Sequence, residues 1–99
     1  MAYVEQQDIT LSMIIEAGLL QPGTIIYAAS DINITGLLNK DGSINLMIDG
    51  KERVFPYPSG AARAIRKVSV SGWVFWKVKE AGKLVELLKF KQKYIESFI

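Results

Sequence analysis

The residues best suited to chemistry in this 99-residue chain are basic. Arg63, Arg66 and Lys67 recur at three- and four-residue spacing, which puts them on one face if the segment is helical. Lys77 and Lys79 alternate on a predicted strand, as do Lys51 and Arg53. Arginine near a free helix N-terminus suits phosphate, and each neutralised phosphate would release counterions and make binding salt-dependent. Ser59 is the predicted N-cap of that helix, and Tyr57, between Pro56 and Pro58, is the aromatic expected to stay exposed. Tyr57, Ser59, Arg63, Arg66, Lys67, Lys77 and Lys79 therefore form the candidate nucleic-acid-binding set. The same charges also fit an ordinary solvated surface, and spacing leaves both readings open.

Other chemistries find little material. The chain has no His and no Cys, so Ser-His, Cys-His and HExxH schemes and thiolate metal sites are unavailable. No phosphate-cradling GxxxxGK[ST] or GxGxxG occurs. Asp41 and Asp49 precede glycines and read as turn residues, and Asp8 and Asp31 as loop residues, so no carboxylate is assigned a catalytic or metal-binding role. No cofactor and no catalytic residue is expected. Trp73, Phe75 and Trp76 could stack on bases, but packing in a small core is the expectation for both tryptophans.

The elements that must position these residues follow from pattern. Thr10 reads as an N-cap for a short helix over residues 10–17, with Gly18 as a left-handed cap and Leu19 folding back on Ile14. Gln21-Pro22-Gly23 reads as a type II turn. Runs at 24–28, 32–38, 44–48 and 52–55, punctuated by Asp41-Gly42 and Asp49-Gly50, predict an antiparallel meander of three or four strands. Ile32, Ile34, Leu46 and Ile48 are expected on one face. A short helix over 59–66 precedes a loop at 68–71 and a strand at 73–78, whose two apolar faces imply a sheet covered on both sides. A turn at 80–82 leads into a last helix over about 84–97, striped by Leu84, Leu87, Leu88, Tyr94, Ile95 and Phe98, with Glu86 and Glu96 flanking Lys89 and Lys93. The fold class is α+β: a small antiparallel meander packed with a short N-terminal helix, a short middle helix, one further strand and a longer C-terminal helix.

Length fits one domain spanning 1–99, with 1–8 as a flexible terminus. No signal peptide or membrane span is evident, so the expected setting is cytoplasmic and no membrane partner is expected. Net charge is only +2, but it is unevenly spread. Residues 1–50 carry one base and six acids; residues 51–99 carry eleven bases and four acids. Such asymmetry suits a polyanion, although lysine-decorated helices would give it too.

Taken in order, ITLSMIIEAGLLQPGTIIY, KDGSI, YPSGAARAI, SGWVFWKV and GKLVELL resemble the RAMA domain, over about residues 9–94. A related domain ends some GIY-YIG-type nucleases. Gly-Trp-x-Phe-Trp is the more specific motif. The resemblance marks Tyr57, Ser59, Ala61, Ala62, Gly72, Trp73, Phe75 and Trp76 as signature positions, with Ser71 where many members carry Asn. It implies a non-catalytic accessory module that contacts double-stranded DNA, including modified DNA, in restriction, modification or antiphage defence, beside a methyltransferase or nuclease partner. The alternative is a protein-interaction or oligomerisation module that tethers a partner enzyme, its last helix through Ile99 supplying an apolar face. Oligomeric state is left open.

Overall fold

The computed structural model describes residues 9–98. The expected flexible segment 1–8 and Ile99 lie outside the described residues. Chain order is α1 (Leu11–Glu16), β1 (Ile25–Ala28), β2 (Asp31–Leu38), β3 (Ile44–Ile48), β4 (Lys51–Phe55), α2 (Pro58–Arg66), α3 (Gly72–Phe75), β5 (Trp76–Glu80), β6 (Lys83–Glu86) and α4 (Leu87–Phe98). The fold is α+β, with one antiparallel sheet in the order β4-β3-β2-β1-β5-β6.

Local rules account for the first half. Thr10 caps α1, its Oγ1 accepting from the Met13 amide at 3.2 Å. At the other end Leu19 N–H donates to Ile14 O and Gly18 N–H to Ile15 O, the Schellman pair, with Gly18 at φ +82°. Thr24 N–H closes the Gln21–Thr24 turn on Gln21 O, with Gly23 left-handed. Asp49 and Gly50 both adopt positive φ, the requirement of a two-residue hairpin turn.

Two elements depart from the sequence reading. Gly72–Phe75 is a helical turn, and β5 begins only at Trp76. A five-residue apolar run has no polar positions to reveal its period, so strand and helix are indistinguishable there. The second departure is β6, which occupies residues assigned to the start of the last helix. Ala81 and Gly82 take φ +53° and +81°, making a tight turn that sends the chain back along β5.

With the 73–75 stretch out of the sheet, the case for a sheet covered on both faces falls. Ile26, Ala28, Leu38, Ile44, Leu46, Trp76 and Val78 share one core with Leu11 and Ile14 of α1, Ala61 and Ala62 of α2, Phe75, and Leu87 and Phe90 of α4. All helices therefore back onto one face. The other face carries Ile25, Leu37, Met47, Val54 and Leu84, all exposed. Ile34, Leu46 and Ile48 point to the core face as expected, but Ile32 is exposed, next to the β1–β2 turn where the register shifts between Tyr27 and Ala28. Lys89 and Lys93 are held by Glu80 at the end of β5, at 2.9 and 3.7 Å, and not by Glu86 or Glu96. Glu86 instead faces Lys77 at 3.9 Å across the β5–β6 pair. The Lys89 hydrogen bond, with the charges of both lysines, lowers the Glu80 pKa.

Candidate nucleic-acid interface

Pro56 and Pro58 fix the chain entering α2. Tyr57 is its extended N-cap residue and Pro58 its first turn, where a missing N–H costs nothing. The helix thus begins before Ser59, which is not the N-cap. The Ser59 hydroxyl accepts the Gly72 amide at 3.0 Å and ties α2 to α3. The buried Trp76 indole N–H donates to Pro58 O at 3.1 Å. A Cβ on Gly72 would overlap the Pro58 carbonyl and the Ser59 amide nitrogen, so only glycine allows this approach. Phe75 meets Trp76 edge-on, centroids 4.9 Å apart. Ser71 precedes α3 without a side-chain cap bond; its carbonyl receives the Val74 and Phe75 amides.

Beside this joint lies a cleft of about 500 Å³. Its walls are the α1 start (Thr10, Ser12), the β2–β3 turn (Asp41, Ser43), the Pro56–Ser59 entry to α2, Trp73 and Lys91. Tyr57 is 64% exposed at its edge. The Lys91 ammonium stands 5.1 Å from the Trp73 ring centroid. Asp41 accepts from the Ser43 hydroxyl at 2.6 Å and amide at 2.9 Å, and these bonds hold its carboxyl below the usual range. Gly42, at φ +88°, lies against the Ser12 backbone and seats the turn on α1.

The ridge of α2 runs away from the cleft. Pro58, Ala61 and Ala62 face the core, while Ser59, Arg63, Arg66 and Lys67 follow at helical spacing along an adjoining stripe. Arg63, Arg66 and Lys67 are exposed, and no ion pair among the described residues involves them. Arg66 also borders a shallow hollow lined by Val70, Ser71, Val74 and Phe75. Lys67 closes the helix in the left-handed conformation, φ +66°, its amide bonded to Arg63 O at 2.7 Å.

A family model described as RAMA, Restriction Enzyme Adenine Methylase Associated, matches residues 3–98. The chain belongs to the RAMA family. No curated protein matches it. The family's name ties this RAMA domain to restriction and modification of DNA. Of the signature positions, Ala61, Ala62, Gly72, Phe75 and Trp76 build the α2–α3 joint and core, whereas Tyr57, Ser59 and Trp73 border the cleft.

The seven candidate residues divide into two groups. Tyr57, Ser59, Arg63, Arg66 and Lys67 lie together on the helical side of this RAMA domain. Lys77 and Lys79 project from the opposite, open face of the sheet, because their neighbours Trp76 and Val78 point into the core. There Lys77 faces Glu86, and the Lys79 ammonium stands 5.4 Å from the Tyr27 ring centroid. Arg53 of β4 lies over Phe55 at 5.2 Å. Lys91 is the cleft residue that sequence spacing does not reveal, because its helix partners give no hint that it crosses to Trp73. Among the described residues, no group of three or more acidic side chains is placed to hold a metal ion, and no helix is long and apolar enough to cross a membrane.

Proposed function

We propose that this RAMA domain is a DNA-contacting accessory module without catalysis of its own, working beside a restriction or modification enzyme. The observation that carries the reading is the α2 ridge: Arg63, Arg66 and Lys67, exposed and outside any ion pair among the described residues, in line with Ser59 and the Tyr57 cleft. Guanidinium groups in a row on a helix suit phosphates along a duplex backbone. Tyr57 and Lys91 line the cleft beside the ridge and offer a ring and a charge that suit a base or a further phosphate. The absence of His and Cys from the chain supports a module that binds and leaves chemistry to a partner.

Fluorescence anisotropy with a labelled duplex tests this. Three neutralised phosphates predict roughly a 40-fold loss of affinity between about 50 and 200 mM salt. Arg66→Glu should weaken binding to every sequence alike. Binding absent at low salt, or indifferent to salt, contradicts the reading. A duplex carrying methylated adenine, titrated alongside, shows whether modification is read. The second reading, an interaction or oligomerisation module, draws support from the exposed apolar face of the sheet.

A further inference from the structure

The open face of the sheet has an order of its own. Ile25, Leu37, Asn45 and Val54 are cross-strand partners in one row. Two residues along, Lys77, Tyr27 and Thr35 are partners in a second row, which Met47 and Glu52 continue on β3 and β4. Met47 is 66% and Val54 60% exposed. Charge is split across this face: Glu52 lies on β4, Lys77 and Lys79 lie on β5, and Glu86 on β6 stands 3.9 Å from Lys77.

We propose that this face is a self-association surface, taking a second copy of the chain face to face about a two-fold axis along β2. The strand order supplies the argument. β4 and β5 each lie two strands from β2, and β3 and β1 each lie one strand away. A two-fold along β2 therefore lays β4 over the partner copy's β5 and β3 over its β1. In the second row Glu52 meets Lys77, Met47 meets Tyr27, and Thr35 meets itself. In the first row Leu37 meets itself. Beside it Ile25 meets Asn45, and Val54 meets the aliphatic stem of Lys79. The charge match of this isologous contact therefore lies in the second row, where Glu52 faces Lys77. The opposite choice, an axis across the strands, lays β4 on β4 and sets Glu52 near its own image.

The largest neutral polar side chain of the first row is already paired. The Asn45 amide already donates to Glu52 at 3.2 Å, and its side-chain oxygen accepts from Asn39 at 2.8 Å. The footprint of five overlapping strands is roughly 400 Å² before side-chain relief, at spacings of about 4.8 and 3.4 Å. Counted on both copies this is about 800 Å², below the roughly 1,200 Å² of stable specific interfaces, so the dimer is weak, reversible and concentration-dependent.

Sedimentation equilibrium of the full chain, from low-micromolar to near-millimolar concentration and without DNA, tests the proposal. The expected result is a rise toward twice the 11.0 kDa chain mass. Glu52→Lys and Lys77→Glu should each weaken the dimer about tenfold or more, since each sets like charges across the axis. Mixing the two variants should restore association, because a mixed pair has opposite charges at both contacts. That recovery could not come from a folding defect in either variant. Met47→Glu, at an exposed position, should abolish the dimer while leaving the unfolding temperature within a few degrees of the parent. A chain that stays monomeric throughout, or a mixture no more associated than its components, overturns the proposal.

Discussion

Gly72 and Trp76 show how single residues can hold this fold without touching a ligand. Gly72 lets the backbones of α2 and α3 come into contact, and Gly72→Ala is expected to cost about 3 kcal/mol or more, because the clash is with backbone that cannot move aside. Chemical denaturation should show a lowered midpoint, with the exposed side chains of the α2 ridge unaltered. Trp76→Phe removes the indole N–H and one of the bonds to the Pro58 carbonyl, which keeps its place as a first-turn acceptor of α2; the loss is about 0.5–1.5 kcal/mol before any cavity cost. Asp41 and Glu80 carry a different kind of information. Both are held below their ordinary values, Asp41 first by the Ser43 hydroxyl and Glu80 first by the Lys89 hydrogen bond. A depressed carboxylate stabilises the folded state above its unfolded pKa, and that stabilisation fades as pH falls through the folded value. Thermal unfolding should therefore drop below about pH 4, and Asp41→Asn and Glu80→Gln should each flatten that drop. An unchanged pH profile in both variants would mean that neither carboxylate contributes to acid sensitivity.

At the scale of elements, α2 ends on a lysine where glycine is the usual choice. Lys67 sits at φ +66°, a conformation that costs an L-residue about 1 kcal/mol, so Lys67→Gly should stabilise the protein by up to that amount. A lower unfolding midpoint would contradict the geometry. The same variant should weaken DNA binding if Lys67 meets phosphate, so stability and binding would move in opposite directions. Elements governed by local rules were legible in the sequence. Thr10, Gly18, Gly23 and Gly50 each met the cap or turn their types imply. Elements set by non-local contact were not. The turn at Gly72–Phe75 depends on Pro58 and Ser59, thirteen residues from Gly72 in the Ser59 bond, and no local pattern encodes that pairing. The turn at 80–82 is legible, but β6 is hidden because Leu84, Leu87 and Leu88 fit a helical stripe that draws residues 84–86 into the last helix. Part of the candidate site was legible for the same reason. Helical spacing gathered Arg63, Arg66 and Lys67 correctly, but assigning residues 73–75 to the strand concealed that Lys77 and Lys79 lie on a separate, uncovered face.

The whole molecule has two surfaces with distinct character. The helical layer exposes the α2 ridge and the cleft beside it, and the sheet exposes an apolar face with charge divided between β4 and β5. Their separation predicts that DNA binding and self-association respond to different variants: Met47→Glu should leave the affinity of each domain for DNA unchanged, and Arg66→Glu should leave sedimentation unchanged. A two-fold along β2 would turn the two α2 ridges outward on opposite sides, suiting a dimer that bridges DNA segments or holds two partner enzymes. Phosphate neutralisation by the α2 ridge is the proposal on which the functional reading rests. Its most direct test is the slope of log affinity against log salt for the parent and for the Arg63→Gln/Arg66→Gln double variant. The variant's slope should be shallower by about 1.8, the loss of two phosphate contacts; equal slopes would rule out phosphate contact by these two arginines.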